Sequence, residues 1–283
     1  MTTRRFLTNA AILSTIMAMA ALIEAAVPMF GRNSWTRGRR AANLGLTSIV
    51  FLLNWSLSSV AAVLALALSL QPPAFARGLQ LPVAVQVLAG VLILDFSAGY
   101  LAHRALHFLP VLWRFHQVYH SDDFVDVTTT YRTHPVETVW RLLFVFVPVW
   151  LIGILPLAVV IQRLLSAASG ILEHGNIRLW RPLDRMLSLV WVTPNIHKIH
   201  HSRQRAETNS NYGNVLTLYD RLLGTFTSSE RAESVVYGLD EVDPARIGSF
   251  GALMSMPFQR QGQPPSLTQK SGSGPTYPDN IPA

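Results

Sequence analysis

Long apolar runs constrain the fold of this chain more than any other feature of its sequence. Four of them begin near Phe6, Ala42, Leu79 and Val136, and each is longer than the roughly 20 residues that a helix needs to cross a bilayer. Only 14% of the residues are charged, against about a quarter in soluble proteins. Because a backbone in lipid must satisfy its hydrogen bonds internally, helices are the expected spanning elements. The sequence therefore predicts an all-α, multi-pass membrane helical bundle.

The first two apolar runs predict two N-terminal membrane helices. The run over residues 6–30 is too long for the core of a signal peptide, so we interpret it as a first transmembrane helix. Residues 31–41 form a predicted loop with four arginines, and the second helix is expected over residues 42–70. Arginine-rich loops tend to stay in the cytoplasm. The third helix, over residues 79–107, would then return its C-terminal end to the cytoplasmic face, although the arginines at positions 4 and 5 oppose this orientation.

The fourth apolar run, residues 136–172, is too long for a single crossing. At 1.5 Å per residue it would exceed about 50 Å, whereas the hydrocarbon core is about 30 Å thick. Gly153 and Pro156 lie near its middle, where a helix would break. We therefore predict a helical hairpin that brings His174 back to the side of the membrane from which the chain left at His134.

These runs divide the chain into three parts. Residues 1–78 are expected to hold the N-terminal transmembrane helices, and residues 79–230 a histidine-rich domain that includes the hairpin. Residues 231–283 form a predicted C-terminal tail, largely disordered after 258 because Gln, Pro, Ser and Gly dominate there. A short amphipathic helix is predicted near residues 185–192, where it could lie on the membrane interface.

All nine histidines lie between His103 and His201, and the chain has no cysteine. Histidines three or four residues apart place two imidazoles on one face of a helix, within reach of one metal ion. Imidazoles without thiolates suit iron, copper or zinc. Nine candidates exceed the three or four ligands of one zinc site about twofold, which indicates a pair of metal ions. The candidate ligands are His103, His107, His116, His120, His134, His174, His197, His200 and His201.

The segments around these histidines resemble the histidine boxes of the fatty acid hydroxylase / sterol desaturase superfamily. The resemblance covers roughly residues 85–230. The matching segments are Asp95 to His107, Trp113 to Asp122, Arg132 to Glu137, His174 to Asn176, Thr193 to Ser202, and Asn211 to Phe226.

The resemblance implies a non-haem di-iron site on the cytosolic side of a four-helix membrane scaffold, as a histidine-rich metal-binding cap. It also implies an oxidoreductase that uses dioxygen to hydroxylate or desaturate a lipid, either a fatty acyl chain, a sterol or an isoprenoid such as a carotenoid. Aldehyde-forming or ether-cleaving chemistry at the same site is an open alternative. Zinc is an open alternative to iron, because imidazole binds both metals.

The expected partners follow from this interpretation. They are the lipid substrate, dioxygen, membrane lipids and a separate electron donor of cytochrome b5, ferredoxin or reductase type, since no haem-binding or flavin-binding segment is visible. The net charge of +7 lies beside the apolar segments. It therefore indicates topology and attraction to anionic headgroups, and not nucleic acid binding.

Several polar residues could orient the histidines by accepting their free ring N–H groups. Asp95 is the strongest candidate, because it precedes His103 by about two turns of the same helix. Three aspartates between residues 122 and 126 could act in this way or belong to a solvated loop. The full set predicted around the metal site is Asp95, Tyr119, Asp123, Glu137 and Asn176. Basic side chains that could meet lipid phosphates or an acidic electron donor, or simply snorkel to the interface, are Arg104, Arg114, Arg132, Lys198 and Arg203.

The second histidine box departs from the family pattern at one position. Tyr119 stands where the family usually has the middle histidine of His-x-x-His-His. The tyrosine could bind as a phenolate, a water could replace the missing ligand, or the second metal could bind weakly. The alternative function is therefore a catalytically impaired metal-binding or lipid-binding membrane protein of the same fold.

Overall fold

The computed structural model describes residues 3–31, 37–69 and 81–259, and these residues fold into helices joined by loops and three isolated β-bridges. This confirms the predicted all-α class, and the chain is a membrane protein. The main helices are α1 Thr3–Ala26, α2 Arg37–Ser69, α3 Val83–Phe108, α4 Pro110–His120, α5 Pro135–Gly153 and α6 Pro156–His174. The shorter ones are α7 Arg181–Leu187, α8 Pro194–His200, α9 Arg205–Thr208, α10 Leu218–Leu222, α11 Pro244–Ile247 and α12 Phe250–Ser255.

Within the described ranges, α3, α5 and α6 are the three helices long and apolar enough to cross a membrane. The predicted break in the fourth apolar run is present: α5 ends at Gly153, whose φ is positive at 74°, and Pro156 begins α6. The hairpin itself stays a prediction. Seven residues of α3, Asp95–Leu101, form a π-helical segment just before the first histidine pair. The side chain of Ser97 in this segment donates to the carbonyl oxygen of Phe144 in α5 at 2.7 Å.

The N-terminal helices pack directly onto the histidine-rich domain. The Glu24 carboxylate in α1 accepts hydrogen bonds from the backbone N–H groups of Val127 and Asn176, at 3.1 and 3.0 Å. The segment Ala10–Ala26 is a shorter apolar helix, and membrane crossing by α1 and α2 stays a prediction.

The start of α2 differs from the prediction. The helix begins at Arg37 and not near residue 42, so three of the four arginines assigned to a loop belong to its first turn. Arg39 is fully buried and bonds the carboxylates of Asp122 and Asp126. The sequence could not reveal this, because the partner carboxylates lie more than 80 residues away.

Residues beyond 230 form part of the packed domain as far as Gln259. Val235 and Tyr237 share a buried apolar cluster with Met29 and Ile199. Leu253, in α12, packs with others against α2 and α4. The disorder expected after residue 258 falls almost entirely on residues 260–283, which lie outside the described part of the chain.

The amphipathic helix predicted near residues 185–192 is wrong in its bounds. The helix is α7, Arg181–Leu187, and a turn follows it. Trp191 already forms a β-bridge with Leu216, which ends the helical stretch before the predicted boundary.

Candidate metal centre

Eight of the nine histidines meet in two adjacent groups. In each group, one possible ligand atom per residue lies within 4.8 Å of all the others. The five-histidine group consists of His103, His107, His116, His120 and His200. The three-histidine group consists of His174, His197 and His201.

Helical spacing explains how single helices deliver pairs of ligands. The i, i+4 pairs on α3 and α4 each place two imidazoles on one face, directed into the five-histidine group. Helix α8 serves both groups, because His197 joins one and His200 the other. Thr193 fixes the start of this helix by accepting a hydrogen bond from the backbone N–H of Ile196 at 3.2 Å.

Hydrogen bonds at Nδ1 define the tautomer of three imidazoles in the five-histidine group. Nδ1 of His116 lies 2.9 Å from a carboxylate oxygen of Glu137, and Nδ1 of His103 lies 2.9 Å from the carbonyl oxygen of Tyr212. Nδ1 of His200 lies 2.7 Å from the carbonyl oxygen of Ser210. Because these oxygens only accept, each Nδ1 carries the proton and each Nε2 presents a lone pair.

These lone pairs face one another. The Nε2 atom of His116 lies 3.1–3.2 Å from three other Nε2 atoms, those of His103, His107 and His120. The neutral rings of His103 and His116 cannot hydrogen-bond to each other through these lone pairs, and a metal ion between them would give both a partner. Ligands about 2.1 Å from a shared ion would stand about this far apart. The donor set and its spacing therefore fit a transition-metal ion.

Burial keeps the imidazoles in the form that binds metals. Burial, followed by the neighbouring histidines, lowers the pKa of His120, His197 and His201 well below its usual value. Burial likewise lowers the pKa of His200 to about 3. These side chains are therefore neutral near pH 7, as metal ligation requires.

Tyr119 occupies the remaining side of the three-histidine group. Its hydroxyl contacts Nε2 of His174 and lies 2.8 Å from Nε2 of His197. Its ring centroid is 4.4 Å from that of His201. Nδ1 of His174 faces the carbonyl oxygen of Gly170, so its Nε2 presents a lone pair to the phenol. Burial raises the pKa of Tyr119, which keeps the phenol protonated unless a cation replaces the proton.

His134 is the one predicted ligand that the structure leaves outside both groups. It is the N-cap of α5, and its Nδ1 accepts a hydrogen bond from the backbone N–H of Val136 at 3.2 Å. Its ring packs between those of Phe115 and Phe258, with centroids 5.1 and 6.0 Å away. An N-cap residue followed by proline is a typical pattern at the start of a helix. His134 therefore has a structural role at the start of α5.

Of the residues predicted to orient the ligands, Glu137 and Tyr119 contact histidines and three others do not. Asp95 accepts from the backbone N–H of Leu216 at 3.2 Å. Asn176 exchanges hydrogen bonds with the backbone of Phe30. Asp123 is half-buried and has no described contact with a histidine. For these three residues, a role in orienting the ligands stays a prediction that no described histidine contact supports.

Two of the basic side chains considered for lipid or donor contacts are unable to make them. Arg132 and Lys198 are fully buried. Arg132 donates to the Ser121 hydroxyl and to the carbonyl oxygen of Val118, both at 3.0 Å. Lys198 donates to the carbonyl oxygen of Gly175 at 2.8 Å. Asp122 and Asp126, for which a solvated loop was the alternative, are buried partners of Arg39.

Most groups that orient the imidazoles are backbone carbonyls, which sequence inspection cannot single out. They belong to Gly170, Ser210 and Tyr212. Arg141, which bonds Glu137 at 2.9 Å, was also missed, although the i, i+4 spacing of this pair was a usable signal.

Residues 87–225, which carry both histidine groups, match the fatty acid hydroxylase family. This domain belongs to that family, within the fatty acid hydroxylase superfamily, whose members include oxidoreductases.

The chain is also similar to individual hydroxylases and monooxygenases. The chain is 36% identical over 194 residues to an ornithine lipid hydroxylase of Rhizobium tropici, covering 68% of this chain and 56% of the relative. It is 32% identical over 151 residues to an alkylglycerol monooxygenase of Danio rerio, covering 53% of this chain and 31% of the relative. The alkylglycerol monooxygenase of Caenorhabditis elegans is 27% identical over 142 residues, covering 50% of this chain and 27% of the relative.

The chain thus spans about half the length of the ornithine lipid hydroxylase and about a third of the monooxygenases. No solved structure matches the chain significantly.

Proposed function

We propose that this chain is a membrane lipid hydroxylase with two metal ions, iron in preference to zinc, bound by eight histidines. The observation that carries the proposal is the pair of histidine groups, in the larger of which the Nε2 lone pairs of His103 and His116 meet at 3.1 Å. The family match and the hydroxylase and monooxygenase relatives support oxygen insertion. They favour hydroxylation over desaturation.

Each group of histidines is assigned one ion. When bound, the two irons supply the activation of dioxygen and the insertion of oxygen into a C–H bond. The protein residues fix where this occurs: Glu137 and the carbonyl of Tyr212 hold the rings of His116 and His103 by their Nδ1 atoms. The almost complete burial of the other imidazoles excludes bulk water from the ions.

The substrate proposed is a lipid whose apolar chain reaches the centre from the bilayer. His107 is the one histidine of the eight that is only partly buried, and it sits at the end of the membrane helix α3. The next residue, Phe108, is 80% exposed, and Val111 is 69% exposed. This apolar rim beside His107 supports entry of a lipid chain at the membrane surface.

The electron donor and the side of the membrane belong to the same proposal. Electrons come from a separate protein, and the centre faces the cytoplasm. The orientation was predicted from the arginines of residues 31–41, and Arg39 no longer supports it, because this side chain is buried in ion pairs with Asp122 and Asp126. Mapping the accessibility of a cysteine introduced at Arg205, in α9 beside the centre, tests the orientation directly.

The test of the activity uses the full chain in a host whose lipids can be extracted. Cells expressing the native chain under isotopically labelled dioxygen should yield lipids that gain one labelled oxygen atom. His116→Ala should abolish this product, whereas the matched variant His134→Asn, which keeps the helix cap and touches neither group, should preserve it. Unlabelled or unchanged lipids in a panel that includes ornithine lipids and alkylglycerols would contradict the proposal.

A catalytically impaired protein of the same fold is the second candidate, and Tyr119 is the observation that favours it. If tyrosine prevents binding of the second ion, Tyr119→His should create a lipid product that the native chain lacks. A labelled product from the native chain excludes this candidate.

A further inference from the structure

We propose that Tyr119 binds the second metal ion through its phenolate oxygen and completes the three-histidine group as a four-ligand site. This inference rests on the proposed metal centre and assigns the position at which this chain departs from its family. The centre would then be asymmetric, with five imidazoles on one ion and three imidazoles plus one phenolate on the other.

The position of Tyr119 on α4 supports the assignment. His116 and His120 stand on the face of α4 that supplies the five-histidine group, and Tyr119 leaves the helix toward the other group. Its oxygen contacts Nε2 of His174 and lies 2.8 Å from Nε2 of His197, while those two nitrogens are 3.2 Å apart. Three possible metal-ligand atoms, one oxygen and two nitrogens, therefore surround one point.

Hydrogen bonds can satisfy the phenol but not the rest of this group. The phenol can donate to Nε2 of His174 and accept from Nε2 of His197, which leaves other buried ring nitrogens without a partner. Nδ1 of His197 and both ring nitrogens of His201 are buried and have no hydrogen-bond partner among the described residues. The same holds for Oε2 of Glu173, whose other oxygen lies 3.9 Å from Nε2 of His197. A cation among these atoms gives the lone pairs a partner.

The phenolate supplies what three neutral imidazoles lack. A buried ion of charge two or three is stabilised by a negative ligand in contact with it, and oxygen ligands of this kind favour ferric iron. Binding breaks the phenolic O–H bond and forms an oxygen–metal bond, and the proton passes to water. Glu173 carries the next nearest carboxylate, but the observed 3.9 Å is longer than a ligand contact to the same nitrogen.

Ferric iron bound to a phenolate has a spectroscopic signature that does not depend on turnover. Phenolate-to-ferric charge transfer gives visible absorption, and Raman excitation within that band enhances tyrosine ring vibrations. The full chain in mild detergent is loaded with iron, oxidised to the ferric state and compared with Tyr119→Phe, Tyr119→His and Tyr237→Phe. Tyr237 is the matched control, because it is a buried tyrosine whose ring packs against Phe30, with centroids 5.7 Å apart, and not against either histidine group among the described contacts.

The native chain should bind two irons and show the tyrosine-enhanced spectrum. Tyr119→Phe, which removes a single oxygen atom, should lose the spectrum. It should also lower the affinity of the three-histidine group for iron by at least about 10-fold. Tyr119→His should lose the spectrum and keep two irons, and Tyr237→Phe should keep both the spectrum and the two irons. Helical circular dichroism verifies that each variant is folded.

Other results overturn the inference in separable ways. Two irons with no tyrosine signature, or with a signature that persists in Tyr119→Phe, would exclude phenolate ligation and leave the proposed function intact. One iron in the native chain and two in Tyr119→His would mean that tyrosine blocks the second site. A native chain that binds no iron would remove the metal centre itself, and with it both proposals.

Discussion

At the scale of single residues, the Nδ1 contacts decide what the histidines can do. An imidazole that donates from Nδ1 must present its lone pair at Nε2, and this holds for His103, His116, His174 and His200. The acceptors are mostly backbone carbonyls, which stay uncharged and leave the positive charge of an ion to be balanced by few groups. Glu137 is the carboxylate that contacts an imidazole at hydrogen-bonding distance in this centre.

Glu137→Gln should therefore lower the metal affinity of the five-histidine group by about 10–100-fold. An amide keeps the volume of the side chain but loses the charge that strengthens His116 as a ligand. Titration of the metal-free chain with Fe²⁺ or Zn²⁺ measures this loss. Asp95→Asn is the matched control: its carboxylate bonds Leu216 and no histidine, so metal affinity should stay within about twofold of the native value. Equal losses in both variants would contradict the assigned role of Glu137.

At the scale of elements, the first turn of α2 is attached to the histidine domain by buried charge. Arg39 and its neighbour Arg40 both face Asp126, but the side chain of Arg39 is 0% exposed and that of Arg40 is 40% exposed. Burial decides how much such ion pairs contribute to the free energy of unfolding, because an uncompensated buried charge is far more costly than an exposed one.

Arg39→Gln should lower the free energy of unfolding by about 3–5 kcal/mol, because it leaves Asp122 and Asp126 buried without their cation. Arg40→Gln should cost less than about 1 kcal/mol. Chemical unfolding in detergent, followed by circular dichroism, compares the two. Similar losses from both substitutions would mean that Arg39 contributes only as an exposed charge does.

The contact between α3 and α6 depends on a glycine. A Cβ atom added at Gly90 would lie 2.8 Å from Cβ of Ala158 and 2.8 Å from Cγ2 of Ile154, so the helices would have to separate. Gly251 in α12 is also helical, and a Cβ atom there would meet nothing within 4 Å.

Both Gly→Ala substitutions favour the helical backbone, and the gain is larger at Gly90 in the helix interior, so a greater loss of stability there reports the clash. Gly90→Ala should be less stable than Gly251→Ala by about 1–3 kcal/mol, as expected for overpacking at a close contact. Thermal unfolding of the two variants in the same detergent measures this difference. Equal stability would show that α3 and α6 can separate without cost.

At the scale of the whole molecule, the sequence predicts what depends on local periodicity. The apolar lengths, the break at Gly153 and the i, i+4 histidine pairs are set by helix geometry, and the break and both pairs are present as predicted. The spacing cannot show which distant histidines meet. His103 and His200, 97 residues apart, share a group, whereas His134 lies much closer in sequence and does not join it.

The rest depends on contacts that leave no pattern in a sequence. Every residue has a carbonyl group, so the acceptors at Ser210 and Tyr212 could not be distinguished. An arginine near an apolar run resembles a topology signal until its partner is known, as Arg39 illustrates. The helical spacing of Asp95 from His103 placed it near the centre, but the π-helical segment that begins at Asp95 changes the register between them.

The central claim is that the chain holds two metal ions in two separate groups of histidines. Iron content per chain, measured on protein purified in mild detergent, tests it most directly. The native chain and His134→Asn should each contain two irons, and His116→Ala and His201→Ala should each contain one. One iron or none in the native chain, or an unchanged content in both alanine variants, would contradict the claim.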